Sequence, residues 1–148
     1  MARGRSSKIK WHNIQIASRP EERRKVESAL VRYLGGFPSD ERLIFAVRLA
    51  VEEALTNAIR HGNQADPSKL VTVRFAINQN KVIVHVRDQG KGFNHRHLPD
   101  CTASDRLELP HGRGILLMCC YMDEVKFNSK GNCVTLMKRL PANPEPSC

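Results

Sequence analysis

One stretch constrains this chain more than any other. Across residues 39–61, Leu43, Val47, Ala50, Ala54 and Ala58 recur at three or four residues and predict a helix. Ser39 stands at the capping position, Asp40 and Glu41 at the positive end of the helix dipole, and Gly62 at the stop. The many alanines predict close packing around most of its circumference, hence a central helix that other elements must cover. Glu53, Asn57 and His61 nevertheless follow at steps of four, each advancing about 40° around the axis, and draw one polar stripe along it. Carboxylate and amide oxygens so placed suit a hard cation such as Mg2+, or general-base chemistry. The same spacing also fits a solvated face with local pairing.

A change of period shows what covers the helix. Val71, Val73, Phe75 and Ile77 alternate, Asn78-Gln79-Asn80 forms a turn, and Val82, Val84 and Val86 alternate on the way back, which predicts a hairpin with one buried face. Val125, Phe127, Val134 and Leu136, around a turn at 129–132, predict a second hairpin. Ahead of the central helix, residues 8–17 predict a first strand. Ser18 to Glu21 reads as a capping box for a helix carrying Val26, Ala29, Leu30, Tyr33 and Leu34, which Gly35-Gly36 ends. Ile115, Leu116, Cys119 and Met122 predict a short third helix. The order β-α-α-β-β-α-β-β has too few crossovers for a doubly wound parallel sheet. It predicts a two-layer α/β sandwich, a mixed and mostly antiparallel sheet with helices on one face.

The chain has 148 residues, and at roughly 100–200 residues per domain that leaves room for one. We divide it into a basic N-terminal arm (1–7), a folded domain (8–140) and a proline-rich tail (141–148) expected to be disordered. Five cysteines without a CxxC pair predict neither a disulfide scaffold nor a zinc site. No apolar run approaches the roughly 18 residues of a membrane span or follows the basic start as a signal peptide would, so a cytoplasmic protein is expected. The formal net charge is +9, which raises the question of nucleic acid. Residues 1–25 alone contribute +6 of it, so the basicity belongs to an appended arm, read as a docking feature for an acidic protein surface and not as a nucleic-acid groove.

Two further constellations follow. Asp88-Gln-Gly90-Lys-Gly92 stands where a buried strand gives way to a long loop. The glycines let a ligand approach the backbone, and the aspartate can accept a hydrogen bond from a ligand amine; an ordinary Asp-Gly turn is the plain alternative. Residues 89–111 are long for a loop in a small domain and read as a binding loop or lid. Gly112-Arg113-Gly114 then opens a helix whose free N–H groups suit an anion, with Arg113 adding a cation.

Taken in order, Glu53…Asn57…His61, Asp88-x-Gly90-x-Gly92 and Gly112-x-Gly114 resemble the motifs of the Bergerat-fold (GHKL) ATPases, which include gyrase, MutL and histidine kinases. Within that group the strings EEALTNAIRHGN and HGRGILLM resemble the anti-sigma-factor serine/threonine kinases of bacterial partner-switching systems, over residues 8–140. The resemblance implies ATP and Mg2+ as cofactors. It implies Glu53 as general base, Asn57 as the ligand of Mg2+ and Asp88 as the acceptor of the adenine amino group. Gly90 and Gly92 would shape the base pocket, residues 94–111 would be the lid, and Gly112, Arg113 and Gly114 would bind phosphate. Glu52 lies off the Asn57 stripe and is set aside as base.

The implied partners are an anti-sigma factor antagonist of STAS type and a sigma factor. A homodimer is implied as well, with no direct role for nucleic acid or membrane. A nucleotide-gated binding module of the same fold, without kinase activity, is the alternative. Gly131-Asn132 stands where the family usually carries Gly-Thr before the last strand. The chain has no separate helical hairpin for a phospho-accepting histidine, so a stand-alone domain is expected and not a sensor kinase.

Overall fold

The computed structural model describes residues 9–92 and 112–141. The basic arm, the lid and all of the tail but Pro141 lie outside the described residues. The elements are β1 (Trp11–Ala17), α1 (Arg23–Leu34), α2 (Glu41–Asn57), β2 (Leu70–Ile77), β3 (Lys81–Arg87), α3 (Gly112–Tyr121), β4 (Glu124–Phe127) and β5 (Cys133–Arg139). A 3-10 turn, Pro20–Glu22, leads into α1, and a π-helical turn, Ala58–Gly62, continues α2.

The sheet order is β1-β2-β3-β5-β4, and every pairing is antiparallel. The expected mixed sheet is therefore corrected to a wholly antiparallel one among the described residues. Alternation explains its two faces. Val71, Val73, Phe75, Val82, Val84, Val86, Val134 and Leu136 are buried beneath the helices. Asn13, Arg74, Arg87 and Lys126 point the other way and are exposed. Trp11 also lies on that outer face, with the Arg74 guanidinium 4.8 Å over its ring.

In the helical layer α2 lies between α1 and α3. It buries Leu43, Ala46, Val47, Ala50, Val51, Ala54 and Leu55, a wider stripe than the periodicity alone gave, as a helix with neighbours on three sides requires. Val26, Leu30 and Leu34 of α1 and Ile115 and Met118 of α3 complete the core. Each fully buried side chain of this size contributes roughly 1.5–3 kcal/mol.

Three helix boundaries differ from expectation, each for a local reason. The cap of α2 is Asp40, whose Oδ1 accepts the Leu43 N–H at 2.8 Å; Ser39 instead donates its hydroxyl to the Leu34 carbonyl at 2.7 Å. Ser18 does not cap α1. Its hydroxyl donates to the Lys69 carbonyl at 2.7 Å and accepts from Asn63 at 2.8 Å, so a distant contact takes the group a capping box would use. Regular α-helix ends at Asn57, and the Asn63 N–H reaches back five residues to the Ala58 carbonyl at 2.8 Å. Among the cysteines, Cys119 is disulfide-bonded, while Cys120 and Cys133 are free. No helix among the described residues is long and apolar enough to cross a membrane.

Candidate functional site

A cavity of about 260 Å³ opens between the end of α2, the adjacent strands β3 and β5, and α3. Its walls are mainly apolar, with Ala54, Ala58, Val86, Ile115, Met118 and Phe127 among them, and its polar groups are few: Asn57, His61, Asp88 and Asn132. Apolar walls with a small number of placed polar groups are the usual construction of a small-molecule site.

At one end lies Asp88, carried just past β3, where its N–H donates to the Asn132 carbonyl at 2.9 Å. Its Oδ1 accepts the Gly90 N–H at 2.8 Å. Burial pushes the carboxyl above the usual aspartate range, and the Gly90 hydrogen bond and the charges of Lys130 and Lys69 offset this in part. Two glycines make room for it. A methyl on Gly62 would overlap the Asp88 carboxylate, and one on Gly90 would overlap the Gly62 carbonyl, so the end of α2 and the turn after β3 lie backbone to backbone. Gly92, at φ +80°, holds a conformation that side chains disfavour and lies against the Lys130 carbonyl.

At the other end the polar stripe of α2 meets the start of α3. A Cβ added to Gly114 would stand 3.0 Å from Glu53 Oε2 and 3.3 Å from Asn57 Nδ2, so both side chains lie directly against the first turn of that helix. Glu52, one residue earlier, turns the opposite way and meets Arg23 of α1 at 3.6 Å. The structure thus brings Glu53, Asn57 and Gly114 together, and Asp88, Gly90 and Gly92 together; Asn57 from the first group and Asp88 and Gly92 from the second line one cavity. Gly112 and Arg113 open α3; the Arg113 side chain lies outside the described part, as does the whole lid. His61 lines the cavity.

Reading the sequence alone missed three parts of the site. Gly62 is more than a helix stop, and a glycine directly after the polar stripe was the available signal. Met118 and Phe127 form walls from elements far apart in sequence. Asn63, fully buried, hydrogen-bonds the Gln89 N–H; it closes the string EEALTNAIRHGN, but the string alone gives it no role.

Comparison with known proteins fits this geometry. Residues 16–138 match the family model of the histidine kinase-like ATPase domain. An anti-sigma F factor from Anoxybacillus flavithermus is 38% identical over 100 residues, 64% of this chain and 68% of that protein. One from Geobacillus kaustophilus is 29% identical over 134 residues, 86% of this chain and 91% of that protein. Among solved structures, the RsbU and RsbW domains of Rv1364c from Mycobacterium tuberculosis match with a TM-score of 0.60 at 21% identity. That match covers 90% of this chain and 34% of the other, a likeness of fold. This chain belongs to the histidine kinase-like ATPase domain family and groups within it with the anti-sigma F factors.

Proposed function

We propose that the cavity binds ATP with Mg2+, and that the chain is an anti-sigma factor which also acts as a protein serine/threonine kinase on an anti-sigma factor antagonist. The observation that carries this reading is the junction of Glu53, Asn57 and Gly114 at the start of α3, with Asn57 lining the same cavity as the half-buried carboxylate of Asp88. A carboxylate, an amide and the N–H groups of a helix start are what phosphoryl transfer asks of a protein, since positioning and charge neutralisation supply most of the catalysis.

The roles follow from the chemistry of each group. Asp88 accepts a hydrogen bond from the exocyclic amine of adenine, and Gly90 and Gly92 let the base lie against backbone. The first turn of α3, from Gly112 to Gly114, offers N–H groups to the phosphates, and Arg113 adds positive charge. Asn57 would hold the metal through its amide oxygen. No cluster of three His, Cys, Asp or Glu able to hold a metal exists among the described residues, and a single amide fits an ion that takes its other ligands from phosphates and water. Mg2+, when bound, neutralises charge on the phosphates. Glu53 accepts the proton of the attacking serine or threonine hydroxyl as its oxygen bonds to the γ-phosphorus and the bond to ADP breaks.

In this reading the unengaged protein, as a homodimer, holds a sigma factor, and the antagonist, of STAS type, is phosphorylated. The basic arm docks on an acidic protein surface, so removing it changes partner association and its salt dependence while leaving ATP affinity intact.

The test is incubation with labelled ATP, Mg2+ and the antagonist. We expect label transfer in the wild type and its loss in Glu53→Ala with ATP still bound. Undiminished transfer in Glu53→Ala removes that residue as base. ATP binding without transfer in the wild type leaves a nucleotide-gated binding module, and absence of ATP binding overturns the reading entirely.

A further inference from the structure

Asn63 is a fully buried polar side chain on the far side of the turn that carries Asp88, and each atom of its amide is committed. Its Oδ1 accepts the Gln89 N–H at 2.7 Å, and its Nδ2 donates to Ser18 Oγ at 2.8 Å and to the Leu70 carbonyl at 3.0 Å. Gln89 closes the circuit, its Oε1 accepting the Leu70 N–H at 2.7 Å. Ser18 donates its own proton to the Lys69 carbonyl. One side chain thereby ties together the end of β1, the π-helical turn, the start of β2 and the peptide between Asp88 and Gln89.

The geometry points to Asn63 as the positioning residue that makes the cavity selective for a 6-aminopurine over a 6-oxopurine nucleotide. This inference rests on the proposed nucleotide site. Asp88 is held from its own side by the Gly90 N–H and from below by the flat backbone of Gly62. The Asp88 N–H also bonds the Asn132 carbonyl, on the β5 side. The hydrogen bond that ties the turn to the end of α2 is Asn63–Gln89, which joins the residue following Gly62 to the residue following Asp88. A carboxylate discriminates an amine from a carbonyl only when its acceptor oxygen stands in line with the N–H, and a buried, fully bonded amide holds that alignment more tightly than a solvated loop would. An ordinary structural role for Asn63 would lower stability and weaken all nucleotides alike. A positioning role changes their ratio.

The experiment compares ATP and GTP affinity, measured by displacement of a fluorescent nucleotide, together with thermal unfolding, in the wild type and four variants. Asn63→Ala removes the acceptor for Gln89, and its ATP-to-GTP preference should fall by about tenfold or more. Ser18→Ala disturbs the same network without touching Gln89, and should lower the melting temperature while keeping the preference. Asn63→Asp retains the acceptor and loses the donors, so it too should keep the preference; it provides the answer if Asn63→Ala does not fold. Asp88→Asn should abolish the preference. A preserved ratio in Asn63→Ala, or a collapse in Asn63→Asp or Ser18→Ala equal to that in Asn63→Ala, overturns the inference. A wild type without preference for ATP, or one whose preference survives Asp88→Asn, overturns both this inference and Asp88 as the adenine acceptor, whereas absence of nucleotide binding overturns the nucleotide reading itself.

Discussion

Glu52 and Glu53 are neighbours in the chain with opposite surroundings. About 100° of helical rotation sends Glu52 toward α1 and Glu53 toward α3. On the α1 side Arg23 lies 3.6 Å from the Glu52 carboxylate and donates to Thr56 Oγ1 at 2.7 Å, so Glu52 is ion-paired to a neighbouring helix. On the α3 side Glu53 faces the bare Cα of Gly114, and among the described residues no cation pairs with it. The difference separates a carboxylate ion-paired to a neighbouring helix from one set against space kept clear by a glycine.

Exchanging the roles of the pair would break the comparison most directly. Glu53→Ala should slow transfer from ATP by about 10²–10⁴-fold, the range for removing a general base, and Glu52→Ala should leave the rate near wild type. Label-transfer assays on both decide it, and equal losses would end the distinction.

Asp88 extends the comparison to a third carboxylate, again without an ion-pair partner among the described residues. Asp88→Asn should cost roughly ten- to a hundredfold in ATP affinity, the equivalent of one hydrogen bond to a charged group. The same variant should melt higher than wild type at neutral pH. Because burial raises the Asp88 pKa in the folded state, the protonated form is favoured there, and stability falls as pH rises through the folded value and the charge is forced into the interior. The advantage of the amide variant should therefore vanish below the ordinary aspartate range. Thermal melts from pH 3 to 8, roughly spanning that range, and titrations with ATP check both halves.

A smaller effect sharpens the geometry. Gly114→Ala places a methyl about 3.0 Å from Glu53 Oε2, a distance the flexible carboxylate can relieve only by moving. Transfer should fall by less than about tenfold, with ATP affinity changed little. Smallest of all, Arg23→Ala should cost about 0.5–1 kcal/mol in chemical denaturation without affecting transfer, since its ion pair is half exposed. A larger catalytic than structural effect there would show that the α1 side of α2 also serves the site.

The sequence made the parts of this molecule legible more readily than their joints. Alternation located β2 and β3, and the three-to-four repeat located α2, because burial of one face leaves a period in the local sequence. Insertion of β5 between β3 and β4 has no such trace, so the wall that joins Val86 to Phe127 could not be anticipated. Ser18 and Ser39 have capping chemistry, yet bond carbonyls elsewhere, one of them 51 residues away. The stripe Glu53-Asn57 and the turn Asp88-x-Gly90-x-Gly92 were visible as motifs, and the structure places Asn57 from the first and Asp88 and Gly92 from the second on one cavity. Asn63 stood at the end of the string EEALTNAIRHGN, yet its role was not legible there: its partners lie 45, 7 and 26 residues distant, and no local spacing rule names them.

The π-helical turn at Ala58–Gly62 makes this part of the chain intolerant of length changes in a way that a loop is not. The Asn63 N–H bonds five residues back, one more than a regular helix allows. Loss of a single codon, for instance that of exposed Arg60, would let the bond close at four and give an unbroken helix, rotating Gly62 and Asn63 by about 100° away from Asp88 and Gln89. Such a deletion would improve helix regularity and erase the cavity's selective end together. A one-residue register, and not any one side chain, is what the reading frame must preserve here.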